Sequence, residues 1–148
     1  MSEISKDATI VVAGAGSIGC YVGGRLVEAG RKVKFLGRER IKTELAAHGL
    51  SLTDFDANNH TIPADSIDMA VAPDVLAEAD IVLVTVKSGA TLEVGADIET
   101  YAKPGEIIVS LQNGVTNVQK LEGVVGDRRV VAGMVPFNVA QLGEGRFH

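Results

Sequence analysis

The sequence predicts an α/β domain built on a doubly wound, mostly parallel sheet with helices on both faces, and three observations carry that expectation. Short apolar runs rich in β-branched residues recur along the 148 residues, at Thr9 to Ala13, Lys32 to Leu36, Ile81 to Val86, Glu106 to Ser110 and Arg129 to Pro136. Helical patterns lie between most of them, as parallel crossovers require. The first run ends on Gly14-Ala15-Gly16-Ser17-Ile18-Gly19, a G-x-G-x-x-G set between a strand and a helix, which is the context that gives this spacing meaning.

Each part of that opening unit has a physical role. Gly14 allows a tight turn off the strand, Gly16 lets backbone approach a pyrophosphate with no Cβ in the way, and Gly19 lets the helix lie close to the sheet. With Ala15, Ser17 and Ile18 between them, these residues form a candidate phosphate cradle, where unpaired N–H groups and a positive dipole end face an anion. Within the helix, Ile18, Val22 and Leu26 repeat at four-residue spacing and predict the buried face, with Gly19 and Gly23 as a thin strip beside it. Gly30 is the predicted left-handed cap, after which Lys32 to Leu36 resumes as a strand that buries Val33 and Phe35. A glycine-rich turn in some other α/β protein shares the motif. Strand, turn, capped helix and strand within about thirty residues is more specific, and it predicts a Rossmann-type fold.

The end of the second strand is where cofactor choice is made. An NAD site usually places an acid there, against the ribose 2′-hydroxyl. Here the strand ends on Gly37, Arg38 follows, and residues 31 to 42 hold Arg31, Lys32, Lys34, Arg38, Arg40 and Lys42 against one acid, Glu39. A planar guanidinium can hold phosphate oxygens in a fork, so the pattern favours NADP, with Arg38 as the 2′-phosphate contact. A solvated helix start accounts for Arg40 and Lys42 equally well.

Ile41 to Ala47 predicts a short helix ended by His48 and Gly49. Leu50 to Phe55 and His60 to Pro63 read as small strands around the polar turn Asp56 to Asn59, a hairpin decorating the sheet. Ala64 to Pro73 gives mixed signals, and Asp74 to Glu78 a helical turn. Ile81 to Val86, the most hydrophobic run, is a central strand buried on both faces, and it ends at Lys87. A lysine just beyond the carboxyl end of a central strand can donate to a ribose hydroxyl, a nicotinamide amide or a substrate oxygen, and can stabilise a developing alkoxide. A solvated lysine at a loop start is the alternative. Ser88 to Tyr101 is helical in pattern, and Lys103-Pro104-Gly105 breaks it before the strand Glu106 to Ser110. Asn113, just past that strand, has an amide suited to bridging a cofactor ribose and a substrate; an Asn-Gly turn and a cap for the helix Val115 to Leu121 are its other readings. Gly143 to His148 reads as the start of an antiparallel edge strand.

Composition sets the outer limits. A length of 148 residues suits one domain with a real core, and a chain 46% hydrophobic but only 4% aromatic fits a core of Val, Ile, Leu and Ala. The net charge of -5 gives no global support to a nucleic-acid role. No run reaches transmembrane length and Met1 to Asp7 is polar, so no membrane association and a cytoplasmic location are expected. The single cysteine, Cys20, reads as a small buried apolar residue in the first helix. His48, His60 and His148 have no metal-ligand spacing, and no metal is expected.

The GAGSIG turn with its helix, the LGR ending the second strand, VTVKS ending at Ser88, SLQNG at Ser110 to Gly114, GMVPFNV and the later GRFH together resemble one family. It is the N-terminal domain of 2-dehydropantoate 2-reductase, also called ketopantoate reductase. The resemblance implies reduction of the ketone of 2-dehydropantoate, a small 2-oxo acid, by NADPH to pantoate, on the route to pantothenate and coenzyme A. It makes Gly14 to Gly19 the pyrophosphate loop and Arg38 the 2′-phosphate contact. Lys87 then lies by the nicotinamide ribose and substrate, positioning and polarising, Asn113 touches both, and the backbone around Asn138 and Val139 passes close to the nicotinamide.

The family also has a second, helical domain supplying a general-acid lysine and a substrate-binding carboxylate. The resemblance therefore implies that residues 1 to 148 are a cofactor-binding half, able to hold NADPH with little reductase activity alone; a homodimer is left open. Two other readings stand beside it. A dinucleotide-sensing regulatory module has this length and fold, but an acid normally ends its second strand. The cofactor domain of another 2-hydroxy acid or polyol dehydrogenase is the other, and the present residues separate it poorly because the substrate side is mostly absent.

Overall fold

Five short parallel strands flank or follow Thr9–Ala13, the strand β1 from which the sheet grows in both directions. The computed structural model describes residues 7–112, 115–135 and 137–148. Along the chain come β1 (Thr9–Ala13), α1 (Ser17–Glu28), β2 (Lys32–Leu36), α2 (Glu39–His48), β3 (Leu50–Thr53), β4 (Asn59–Ile62), β5 (Asp68–Ala70), β6 (Ile81–Val84), α3 (Thr91–Tyr101), β7 (Ile107–Ser110), α4 (Val115–Glu122), β8 (Arg129–Ala132), β9 (Gln141–Gly143) and β10 (Arg146–Phe147). Short 3-10 turns cover Ala64–Ser66, Pro73–Glu78 and Ser88–Ala90. The main sheet has the order β5-β2-β1-β6-β7-β8, with every pairing parallel. Counting its strands alone, that is 3-2-1-4-5-6, the doubly wound Rossmann order with its reversal between β1 and β6.

Period-two alternation divides the core. Ile10 and Val12 of β1 face one cluster with Val33, Phe35, Ile81, Leu83, Leu45 and Leu52. Val11 and Ala13 face the other, with Val82, Val84, Ile108, Ile98 and Leu121. Continuous apolar strands result because both faces are covered, and all four residues of β6 are buried.

A second sheet, β4-β3-β10-β9, clasps α1 from the far side. β3 pairs antiparallel with β4 and parallel with β10, and β10 pairs antiparallel with β9. The segment Leu50 to Pro63 is therefore not decoration: Leu50, Leu52, Ile62 and Phe147 are buried in the core beside α1. Gly143 to His148 does not edge the main sheet but supplies β10 to the interior of the second. These positions join through contacts about a hundred residues apart in sequence, which local patterning does not reveal.

The second sheet also corrects the face of α1. Its buried residues are Gly19, Cys20, Gly23 and Gly24, while Ile18, Val22 and Leu26 are only partly buried. A helix between two sheets touches both along its thinnest strip: a Cβ built on Gly23 would lie 2.3 Å from Phe35, and one on Gly24 would lie 2.8 Å from Leu52. Gly30 has φ +87 and ends the helix as expected.

Elsewhere the differences are smaller. α2 starts at Glu39 rather than Ile41, β6 ends at Val84, and β8 ends at Ala132; Pro136, the last residue of that predicted strand, lies outside the described residues. β5, from the stretch of mixed signals, is the outermost strand beside β2. Among the described residues no helix is long and apolar enough to cross a membrane.

Candidate functional site

The glycine turn sits at the carboxyl edge of the sheet, at the reversal between β1 and β6, where this topology opens a crevice. Leu36 O accepts from both Gly14 N and Ala15 N at 3.0 Å, which pins the turn to the end of β2. Gly14 has φ +124, and a Cβ there would lie 2.7 Å from Val86 N, so both its backbone angle and its neighbour demand glycine. A Cβ on Gly19 would meet Gly14 O at 2.0 Å. On the other side of the turn, a Cβ on Gly16 would meet nothing within 4 Å, which leaves that approach open.

Gly16 is the N-cap of α1, with no side-chain cap and no acid in the first turn, and the first intrahelical bond is Cys20 N to Gly16 O at 2.9 Å. The amides of Gly16, Ser17, Ile18 and Gly19 are thus the four donors a helix start leaves over. Ala15 differs from them, since its amide is held by Leu36 and its methyl lines the turn. Four donors with no partner among the described residues, a dipole end and an open approach fit a diphosphate.

At the end of β2, Gly37 N donates to Ala70 O at 3.0 Å, and a Cβ on Gly37 would lie 2.6 Å from that of Ala15. A carboxylate side chain cannot grow from this position unless the turn shifts, a packing reason for the missing acid. Arg38 follows as the N-cap of α2, exposed, and its guanidinium makes no hydrogen bond or ion pair among the described residues. At least one of the six cations is engaged elsewhere. Lys34 turns instead to Asp68 at 3.0 Å and Glu78 at 3.5 Å, and the Asp68 hydrogen bond holds its pKa above the usual lysine value.

The loop after β6 closes the other side of the crevice. Thr85 Oγ1 donates to Gly14 O at 2.7 Å, tying this loop to the glycine turn. Lys87 follows, exposed, and its carbonyl accepts from Ala90 N at 2.9 Å. Beneath it runs a polar chain. Gln112 Nε2 donates to Val86 O at 3.0 Å and to Thr91 Oγ1 at 2.8 Å, Ser110 Oγ donates to Gln112 Oε1 at 3.1 Å, and Thr91 Oγ1 donates to Asn117 Oδ1 at 2.9 Å. Thr85 and Gln112 entered the sequence reading only inside the VTVKS and SLQNG motifs, with no role of their own, and Thr91 and Asn117 only inside predicted helices; the one further signal was the polarity just past β6 and β7. Asn113 lies outside the described residues.

Backbone contacts therefore unite the glycine turn, the Gly37-Arg38 corner and the Thr85 to Lys87 loop. Among the described residues no hydrogen bond ties Asn138 or Val139 to that group. They line a cavity of about 240 Å³ with Tyr21, Thr53, Phe55, Phe137 and His148. Tyr21, one turn beyond Ser17 on α1, meets Phe137 at a ring distance of 5.9 Å, and His148 Nδ1 lies 2.7 Å from Thr53 Oγ1. Cys20 is buried, and burial pushes its thiol up to about 12, which leaves it unreactive as expected.

Comparison with known proteins adds the following. Residues 10–148 match the family described as Ketopantoate reductase PanE/ApbA. The 2-dehydropantoate 2-reductase of Halobacterium salinarum is 31% identical over 138 residues, which are 92% of this chain and 44% of that protein. An uncharacterized oxidoreductase of Bacillus subtilis, YkpB, is 25% identical over 138 residues, 93% of this chain and 44% of the other. Among solved structures, a PanE/ApbA family ketopantoate reductase from Ralstonia eutropha superposes with a TM-score of 0.84 at 28% identity, covering 94% of this chain and 45% of that one. D-mandelate dehydrogenase in complex with NADH shares the fold, with a TM-score of 0.77 at 20% identity over 94% of this chain and 44% of that one. The chain spans less than half the length of each of these relatives.

Proposed function

Because this chain belongs to the ketopantoate reductase family, we propose that it is the NADPH-binding part of an oxidoreductase acting on a small 2-oxo acid, with 2-dehydropantoate as the substrate. The observation that carries the reading is the opening of α1: beside the open face of Gly16 lie four amides, and at the neighbouring corner a guanidinium, that have no partner among the described residues, with no room for an acid at Gly37. The amides of Gly16 to Gly19 hold the diphosphate, and Arg38 forks onto the 2′-phosphate. When bound, the nicotinamide supplies the hydride that reduces the ketone. Lys87, projecting from the loop after β6, donates to the ribose and the substrate oxygen and steadies the charge that grows there. Asn113 and the backbone at Val139 complete the contacts to the nicotinamide end.

The relatives are more than twice as long, which supports a proton donor supplied from outside residues 1 to 148. On this reading the 148-residue chain binds NADPH in the cytoplasm without reducing 2-oxo acids by itself. The test is calorimetric titration with NADPH and NADH, on this chain and on Arg38→Ala. NADPH binds the parent at least about tenfold more tightly than NADH, and the substitution removes most of that preference. Binding of neither nucleotide overturns the reading; an unchanged preference in the variant moves the phosphate contact away from Arg38.

A further inference from the structure

Lys87 can act on a ligand only if its loop has one conformation, and among the described residues its own side chain makes no hydrogen bond or ion pair that would fix it. The loop is held from beneath by Gln112. Val86 O, the carbonyl immediately before Lys87, can only accept, so the Gln112 group facing it at 3.0 Å is the NH₂. The second proton of that NH₂ goes to Thr91 Oγ1 at 2.8 Å, at the first residue of α3. The hydroxyl of Ser110, at the end of β7, holds the carbonyl end of the same amide at 3.1 Å, and Thr91 passes its own proton to Asn117 of α4 at 2.9 Å. Thr91 is fully buried and Ser110 and Asn117 are each 1% exposed, so the Thr91–Asn117 bond is shut off from water, while the three bonds of Gln112 itself are part-buried.

We propose that Gln112 is a positioning residue for Lys87, fixing the 86–90 loop against β7, α3 and α4 so that the ammonium is presented to the nicotinamide end of the ligand. The inference rests on the cofactor reading above. Loss of the amide leaves Val86 O without its partner and frees the loop to turn Lys87 away. The glycine turn and Arg38 are held by other bonds, through Leu36 and Ala70, and keep their places.

The test is a double-mutant cycle on NADPH affinity with the 148-residue chain, using Gln112→Met, Lys87→Ala and the pair, and 2′,5′-ADP as a probe that lacks the nicotinamide half. Gln112→Met is expected to weaken NADPH about three- to tenfold, as for one or two lost neutral hydrogen bonds, to add nothing further in the Lys87→Ala background, and to leave 2′,5′-ADP affinity unchanged. Thr91→Ser is expected to bind NADPH like the parent, whereas Thr91→Val follows Gln112→Met. Additive losses, or an equal loss for 2′,5′-ADP, overturn the inference and leave the cofactor reading standing. Parental NADPH affinity in Lys87→Ala removes Lys87 from the cofactor reading and takes the inference with it, and a parent that binds neither probe sinks the reading itself.

Discussion

Thr85 shows how one hydroxyl can hold a binding turn together. It stands at the first position after β6, and its Oγ1 donates to Gly14 O at 2.7 Å while its backbone N–H donates to Ala13 O at 3.1 Å. The same hydroxyl lies 2.8 Å from where a Cβ on Gly19 would be, so it fills the space that the last glycine of the motif leaves. Thr85→Val keeps the shape and removes the donor. The expected result is a loss of about 1 kcal/mol in unfolding free energy by urea titration, with a several-fold weaker grip on NADPH, while Thr85→Ser retains both. A valine variant that melts and binds like the parent would show the bond to be incidental. Nothing in the local pattern picks out Thr85, since a threonine near a strand end is ordinary; its partner is 71 residues away.

At the scale of elements, the legible parts were those whose signal is local. β1, the glycine turn, the Gly30 stop and β2 fall within one unit, and their bounds follow from apolar runs and special backbone angles. β5 was missed because three residues at a sheet edge, partly exposed, carry no alternation to read. The buried face of α1 was misassigned for a physical reason. Periodicity weights large apolar side chains, but a helix clasped by two sheets buries its smallest residues and leaves Ile18, Val22 and Leu26 at the margins. That geometry sets two effects against each other at Gly23. Replacing a mid-helix glycine by alanine gains about 1 kcal/mol of helix propensity. Here the new methyl lies 2.3 Å from Cε1 of Phe35, which is fully buried and has no space to retreat into. Overpacking of that kind costs about 1–3 kcal/mol, so Gly23→Ala is expected to lower the thermal midpoint by several degrees despite its propensity. A raised midpoint would mean that α1 can lift away from β2.

Viewed whole, the molecule separates its two ends. The carboxyl edge of the sheet carries the glycine turn, Arg38 and Lys87, and the amino edge carries an ionisable group that the site does not use. Glu106, just before β7, is 6% exposed, and neither of its carboxylate oxygens has a hydrogen-bond partner among the described residues. Burial pushes its carboxyl up to about 7, against the pull of Lys103 and Arg128. In the unfolded chain the same group titrates near its ordinary value of 4.5. Between these limits the folded state holds a proton that the unfolded state has released, so stability falls as pH rises through the window, by roughly 1 kcal/mol per pH unit, and levels off above it. Asp80 acts in the opposite sense. The Thr9 amide and Lys103 hold its pKa below the usual value, so its stabilisation is lost only in more acidic solution. Glu106→Gln keeps the size and removes the charge. Urea unfolding of parent and variant is expected to give similar stabilities at pH 5, and at pH 7.5 a variant more stable by about 1–3 kcal/mol; curves that stay parallel would mean that water or a cation already satisfies the carboxylate. Because the four-residue strand β7, spanning about 13 Å, separates Glu106 from the binding edge, NADPH affinity is expected to be the same in both proteins at either pH.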